Sequence, residues 1–157
     1  MISTEILEPN RHRSYKAIYY RDQNDKVIRH VWVDDDNRII RDYLYERRKD
    51  GQCSCVVLFG PDYITPIGIQ EIVYDNLDRR IEAIQYEVCD GKKIPIQKSI
   101  FYYEAEAERC YKVVVYSRAE EPVGYVLYTY DDAGVAPVGY YNMKDEPIRK
   151  FNLERLF

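Results

Sequence analysis

The chain has few of the residues on which catalytic and cofactor sites usually depend. Its 157 residues include 2 His, 4 Cys, 1 Trp and 2 Met, against 17 Tyr. It contains no Gly-rich phosphate loop, no G-x-S-x-G motif and no H-E-x-x-H motif. The sequence therefore lacks the common signatures of nucleotide-binding proteins, serine hydrolases and zinc proteases. We expect a protein that is not an enzyme and that carries no cofactor.

Long hydrophobic runs and a basic stripe are also missing. No stretch approaches the ~18 apolar residues that span a bilayer, and residues 1–8 lack the pattern of a signal peptide. The net charge of −4 argues against nucleic acid as a partner. Cysteines 53, 55, 89 and 110 are too few and too irregularly spaced for a disulfide framework. We expect a cytoplasmic protein with reduced thiols that binds neither membrane nor nucleic acid.

Each candidate chemical site has a simpler structural interpretation. A nucleophilic Cys needs a base within hydrogen-bond reach, and neither His12 nor His30 lies close to a Cys in the sequence. Cys53-x-Cys55 lacks the second ligand pair of a structural zinc site. Residues 34–37, DDDN, lack the loop length and the distal Glu of a calcium loop. Acidic residues occur at nearly every turn, so no carboxylate pair is singled out for glycosidic chemistry. We predict no catalytic residue and no metal site.

Turn-forming residues recur along the chain at a spacing of about 13 residues. Each unit begins with an aromatic residue or Val, passes through acidic, Asn or Gly residues, and resumes with a β-branched or aromatic residue. The units begin at Tyr20, Val33, Tyr45, Phe59, Tyr74, Tyr86, Tyr103, Tyr116, Tyr130 and Tyr141. This spacing fits short strands joined by tight turns and is too short for a βαβ unit, which needs about 30 residues. Asp50-Gly51 and Asp90-Gly91 are predicted to adopt positive φ in hairpin turns.

No segment has a helical apolar stripe longer than a turn or two. Strands are predicted over Val27–Val33, Ile39–Tyr45, Cys53–Phe59, Ile81–Val88, Ile94–Tyr103, Tyr111–Tyr116, Val123–Tyr130 and Val138–Asn142. The predicted fold is all-β, with tandem antiparallel hairpin repeats in an up-and-down meander of about ten strands. A single curled sheet, a sandwich and an open barrel all agree with the pattern. We predict one domain over residues 1–157, with an N-terminal extension at 1–15 and a break in the pattern near 60–70.

Residues 74–81, YDNLDRRI, resemble the tyrosine-aspartate (YD, or Rhs-type) repeats of bacterial toxin shells and the related hairpins of small bacterial antitoxin-like proteins. Asp78 stands where the pattern YD-x-x-G-R-I has Gly, and residues 130–135, YDDAGV, are the next match. The resemblance covers about residues 20–150, although most copies lack both the Gly and the Arg. Shells of that family are far longer than this chain. The resemblance implies a small bacterial binding protein, such as an immunity protein that holds a toxin domain.

The abundance of tyrosine favours a binding surface, because Tyr, Trp and Arg dominate the energetics of protein interfaces. We predict one binding face of tyrosines with an acidic rim; ordinary packing within the sheet is the alternative. The predicted binding residues are Tyr43, Tyr45, Tyr102, Tyr103, Tyr128, Tyr130, Tyr140 and Tyr141. The predicted function is the non-enzymatic binding of another protein, basic and toxin-like, by a bacterial immunity or antitoxin-type module.

Two alternatives remain open. One is a β-barrel that binds or hydrolyses a small molecule or carbohydrate in a tyrosine-lined cavity. The other is an assembly subunit that forms homo-oligomers through its edge strands.

Overall fold

The structure is a computed structural model that describes residues 2–10, 13–105, 107–131, 134–151 and 153; the side chains of 3–10, 13–14, 131 and 134–138 are outside that description, as is His12. Within these ranges the chain forms twelve strands. They are β1 (Ile2–Asn10), β2 (Arg13–Arg21), β3 (Val27–Val33), β4 (Ile39–Arg47), β5 (Cys53–Phe59), β6 (Pro66–Tyr74), β7 (Arg80–Cys89), β8 (Lys92–Tyr103), β9 (Cys110–Tyr116), β10 (Pro122–Asp131), β11 (Gly134–Tyr141) and β12 (Pro147–Ile148). The order of strands in the sheet is the order in the chain. The predicted all-β, antiparallel, up-and-down meander is therefore confirmed.

The chain divides into two compact units. The first unit contains Met1–Gln70 and Glu87–Lys93, and the second unit contains Glu71–Tyr86 and Ile94–Leu156. In the first unit, β1 to β5 pair in succession as antiparallel neighbours. In the second unit, β8 to β12 do the same. The single domain over residues 1–157 stays a prediction.

The predicted strands match the structure to within a few residues, and three longer strands were missed. Both β1 and β2 lie wholly or partly in the segment expected to be an N-terminal extension. The predicted break near 60–70 is shorter than expected, because the turn ends at Thr65 and Pro66 begins β6. Proline is tolerated as the first residue of a strand, where its missing N–H disrupts little pairing.

Six hairpin turns in the described chain share one backbone conformation. In each, the N–H of the first residue donates to the carbonyl four residues later, and its own carbonyl accepts from the N–H three residues later. These first residues are Asp22, Asp34, Arg48, Asp75, Ser117 and Asn142. An acidic first residue also caps its own turn: Asp75 Oδ1 accepts from the N–H groups of Leu77 and Arg79, both at 2.9 Å. The spacing in the sequence thus reflects one turn geometry, which is used repeatedly.

The fourth residue of each of these turns has a positive φ. These residues are Asp25, Asn37, Gly51, Asp78, Glu120 and Asp145, with φ from 58° to 86°. Asp78, at φ 58°, occupies the position at which the YD pattern has Gly. The resemblance to that pattern therefore has a local physical basis, because Gly adopts this conformation without strain. Of the two predicted Asp-Gly turns, the second has positive φ at both residues, 51° at Asp90 and 74° at Gly91, whereas in the first only Gly51 has a positive φ.

Glu120→Gly should stabilise the protein, because Glu120 has a left-handed conformation (φ 59°) that costs a residue with a Cβ energy and that Gly adopts without strain. The expected gain in the free energy of unfolding is about 0.5–1 kcal/mol. This is the energy gained by removing the steric strain of the Cβ, reduced by the greater backbone entropy that Gly loses on folding. Urea unfolding at neutral pH measures it. The matched control is Glu121→Gly, one residue later in the same turn and also exposed; it should leave stability unchanged or lower it. Equal effects at both positions would contradict the role of φ.

Candidate binding site

The eight predicted tyrosines do not share one face. Tyr102 and Tyr103 are consecutive on β8, and neighbouring strand residues point to opposite sides of a sheet. In the second unit the pairing places Tyr103, Tyr128, Tyr130 and Tyr140 on one face and Tyr102 and Tyr141 on the other. Tyr43 and Tyr45 lie together on β4 in the first unit. The prediction of a single face is wrong because it ignored the two-residue period of a strand; the binding role stays a prediction.

Three of these tyrosines meet in a cleft of the second unit, which we call the aromatic cleft. Its volume is about 390 Å³. Its lining residues are Arg80, Phe101, Tyr103, Glu108, Arg109, Cys110, Val113, Tyr128 and Tyr130. It lies at the strand ends of the sheet, on the side where β7 and β9 begin and where β8 and β10 end. Below it the core contains Val113, Val126 and Phe151.

The tyrosine hydroxyls of the aromatic cleft differ in how they are bonded. The Tyr103 hydroxyl donates to the Arg80 carbonyl at 2.8 Å, and the Tyr130 hydroxyl donates to the Cys110 carbonyl at 2.5 Å. The Tyr128 hydroxyl has no hydrogen-bond partner among the described residues. Burial raises the pKa of all three phenols above the usual value of 10.0. All three are thus protonated at neutral pH, and Tyr128 has a hydroxyl available to a ligand.

Two arginines and one glutamate form the charged part of the cleft. The Arg80 guanidinium lies over the Phe101 ring, with Cζ 5.6 Å from the ring centroid, and the Arg109 guanidinium lies over the Tyr130 ring at 5.1 Å. Both distances are within the range of cation–π attraction. Glu108 is exposed and lines the same cleft. The described lining thus contains two cationic side chains and one carboxylate, and the acidic rim stays a prediction.

Sequence reasoning missed both arginines, although a signal for them existed. Arg80 is the first residue of β7, and Arg109 directly precedes β9. In an up-and-down meander, successive strands run in opposite directions, so every second strand begins at the same end of the sheet. The starts of β7 and β9 therefore meet the ends of β8 and β10, where Tyr103 and Tyr130 lie. Aligning the repeats by strand direction would have placed these four residues together.

Cys110 contributes a thiol to the cleft, but its surroundings do not activate it. Burial raises the pKa of the Cys110 thiol, and its Sγ contacts the Lys112 carbonyl at 3.1 Å. The thiolate is the reactive form of cysteine. No histidine is present among the described residues that line the cleft. This arrangement supports packing by Cys110 rather than nucleophilic chemistry.

A second aromatic cluster lies in the first unit, around His30. The His30 ring stacks on Tyr19, Tyr43 and Tyr45, with centroid distances of 5.2, 4.6 and 5.8 Å. The Trp32 indole N–H donates to His30 Nε2 at 2.6 Å. Since Nε2 accepts, a neutral ring has its proton on Nδ1, which lies 2.9 Å from the Tyr45 hydroxyl. Burial raises the pKa of Tyr45 to about 12, so this hydroxyl stays protonated.

The first unit should lose stability on mild acidification because of His30. Burial lowers the pKa of His30 below 6.5, with a partly opposing effect of the Asp42 charge. The unfolded chain therefore takes up a proton first as the pH falls, and the contribution to stability that is present above about pH 6.5 decreases below it. We expect a larger loss of urea stability between about pH 7 and about pH 5 in the wild type than in His30→Phe. Parallel pH profiles for the two proteins would contradict this assignment.

Other sites are sparse in the part of the chain that the structure describes. There, no group of three or more His, Cys, Asp or Glu side chains is arranged to hold a metal ion. All four cysteines are free thiols. No helix in the described ranges has the length and apolar character needed to cross a membrane.

Comparison with known proteins finds similarity to solved structures, at 12% sequence identity in two of them. No protein-family model matches the chain, and no curated protein matches it. A structure of the Tc holotoxin pore of Photorhabdus luminescens, with a mutated TccC3, is similar with a TM-score of 0.49 and 12% identity over 80% of this chain. A crystal structure of TcdB2-TccC3-TEV is similar with a TM-score of 0.48 and 12% identity over 90% of it. This chain covers 7% of either of those chains. With both TM-scores below 0.5, neither similarity assigns a family, an activity or a partner.

Proposed function

We propose that the protein is a non-enzymatic protein-binding module and that the aromatic cleft is its binding surface. The observation that carries the proposal is the cleft itself, in which Tyr103, Tyr128 and Tyr130 lie beside two arginines at the ends of neighbouring strands. Tyr and Arg are enriched among the residues that dominate binding energy at interfaces. A concave aromatic surface of this kind accepts one or two anchoring side chains of a partner.

The lining of the cleft supports binding rather than catalysis. Hydrolysis of a glycosidic bond usually requires two carboxylates that flank the bond, and Glu108 is the one carboxylate in the described lining. The thiol and the phenols are held in their protonated forms. The groups that remain are hydrogen-bond donors, cations and ring faces, which recognise a ligand without changing it.

An immunity or antitoxin role is the concrete form of the proposal. It follows from the resemblance of residues 74–81 to YD repeats and would place the protein and its toxin-like partner in the bacterial cytoplasm. The alternative, small-molecule or carbohydrate binding, is supported by the cleft volume of about 390 Å³, which lies in the range of ligand pockets. Pairing of edge strands into a homo-oligomer also stays a proposal.

The test is affinity capture from a lysate of the source organism with three versions of the tagged chain. These are the wild type, Tyr128→Ala in the cleft, and Tyr102→Ala on the opposite face of the second unit. We expect the wild type and Tyr102→Ala to capture one partner protein in a stoichiometric amount. Tyr128→Ala should bind this partner about 2 kcal/mol more weakly, which is roughly a 30-fold loss of affinity and is typical of an interface hot spot. Undiminished capture by Tyr128→Ala, or no partner with the wild type, would overturn the proposal.

A further inference from the structure

The two arginines of the aromatic cleft have no carboxylate partner among the residues that the structure describes. Neither Arg80 nor Arg109 forms an ion pair with any residue of the described ranges. Five other arginines do, namely Arg21, Arg29, Arg38, Arg48 and Arg79. A guanidinium has five N–H donors in a planar fork that matches a carboxylate. The cleft therefore presents two such forks whose donors are not used by a carboxylate of the described residues.

Each of the two guanidinium groups lies over an aromatic ring of the cleft. Arg80 lies over Phe101 and Arg109 lies over Tyr130. Cation–π attraction engages the charge of a guanidinium and leaves its N–H groups able to donate hydrogen bonds. A ligand in the aromatic cleft would therefore meet the donors of two cationic side chains. The Tyr128 hydroxyl, which has no partner among the described residues, adds a neutral donor in the same cleft.

Arg79 holds the loop that carries Arg109. Its Nη1 donates to the carbonyls of Ala105 and Ala107 at 2.7 and 3.0 Å. Its Nε donates to Asp75 Oδ2 at 2.8 Å, which anchors the arginine in the turn before β7. The Arg79 guanidinium also lies 4.7 Å from the Tyr103 ring centroid. Arg79 is thus a positioning residue that ties the loop between β8 and β9 to the turn before β7.

From this geometry we infer that the aromatic cleft recognises an acidic segment of a partner protein, one that presents a carboxylate beside an apolar or aromatic side chain. The inference rests on the proposed function and specifies its partner. The carboxylate would bind between Arg80 and Arg109, and the apolar side chain would pack on the tyrosine rings. This partner chemistry is the reverse of the one expected from the net charge of −4. Local charge decides the contact because surface charges farther than about 10 Å are screened by salt.

Glu108 provides an internal check, since it lies in the same lining with the opposite charge. It should weaken the binding of an acidic ligand, so its removal should strengthen binding. Arg80→Gln and Arg109→Gln should each weaken binding about three- to tenfold, because each removes a charge-assisted hydrogen bond at a partly exposed site. Glu108→Gln should strengthen it about twofold. Arg38→Gln, an exposed arginine of the first unit, is the matched control and should have no effect.

The experiment uses two small probes of equal shape, 3-phenylpropanoate and its uncharged amide 3-phenylpropanamide. Binding to the full chain is followed by NMR through the ring signals of tyrosine, with the Tyr128→Phe variant used to assign Tyr128. We expect the carboxylate to shift the cleft signals at a concentration at least about fivefold lower than the amide requires. Arg80→Gln and Arg109→Gln should reduce this preference for the carboxylate over the amide, and Glu108→Gln should increase it. Inorganic phosphate at matched ionic strength should not shift the same signals to the same extent.

Three outcomes would overturn the inference: equal binding of carboxylate and amide, equal shifts with inorganic phosphate, or no change in the Arg80→Gln and Arg109→Gln variants. Phosphate shifts as large as those of the carboxylate would identify a general anion site instead. These outcomes are distinguishable from failure of the proposed function. If Tyr128→Ala loses a captured partner while the probes show no preference for charge, the protein-binding role holds and acid recognition is wrong.

Discussion

Arg29→Met should be one of the most destabilising single substitutions in the first unit. Asp42 is a buried charged residue with 1% exposure, and its carboxylate accepts from Arg29 Nε at 2.9 Å and from Nη2 at 2.5 Å. Removal of the arginine leaves a buried carboxylate without its counter-charge. Such a loss costs about 3–5 kcal/mol; we expect about 3 kcal/mol, because the Arg29 side chain is itself 44% exposed. Urea unfolding measures this loss.

The double variant Arg29→Met/Asp42→Leu separates a charge effect from a packing effect. Replacement of a buried ion pair by apolar residues is often close to neutral. We therefore expect the double variant to recover most of the stability that Arg29→Met loses. Losses that simply add would show that Arg29 stabilises the sheet by packing alone. If Arg29→Met is as stable as the wild type, water stabilises the Asp42 carboxylate as well as the Arg29 guanidinium does.

Gly124→Ala should disrupt the second unit to a similar extent. A Cβ built at Gly124 would lie 2.3 Å from the Tyr141 carbonyl oxygen and 2.5 Å from a ring carbon of Phe151. The first of these atoms belongs to the backbone of the neighbouring strand, so relief requires β10 and β11 to separate. Overpacking of this kind costs about 1–3 kcal/mol, and we expect the upper end. Displacement of Phe151 from the core should accompany the loss.

The matched control is Gly139→Ala, in the same strand pair. The three atoms nearest to its Cβ would all belong to the Tyr141 side chain, at 3.0 to 3.1 Å. A side chain can rotate away, so the expected loss is about 1 kcal/mol. Thermal unfolding of the two variants should differ by several degrees, with Gly124→Ala lower. Equal unfolding temperatures would show that the strand pair adjusts at both positions.

Much of the fold was predictable because the turns are determined locally. An Asp at the first position caps its own turn, as Asp75 does, and an Asp or Gly at the fourth position accepts positive φ. Strand β6 was missed because it contains Pro66 and Gly68, two residues that usually argue against a strand. Here the proline occupies the first position and the glycine is buried. The burial of Gly68 could not be inferred from composition.

The candidate site was predictable only in part. The abundance of tyrosine pointed to Tyr103, Tyr128 and Tyr130, which the aromatic cleft brings together. The arginines were harder to assign, since Arg79 and Arg80 are adjacent and have different roles. Arg79 lies four residues after Asp75 and pairs with it inside the turn, whereas Arg80 begins the strand and lines the cleft. That distinction depends on the turn conformation, which residue counts do not reveal.

Site-specific photo-crosslinking tests the central claim, protein binding at the aromatic cleft, most directly. A benzophenone side chain replaces Tyr128 in one version of the chain and Tyr102, on the opposite face of the second unit, in another. Both versions are irradiated in lysate of the source organism, and the adducts are analysed by mass spectrometry. If the aromatic cleft binds a partner, we expect one dominant protein adduct from position 128 and none from position 102. Equal adducts from both positions, or an adduct from position 102 alone, would contradict it.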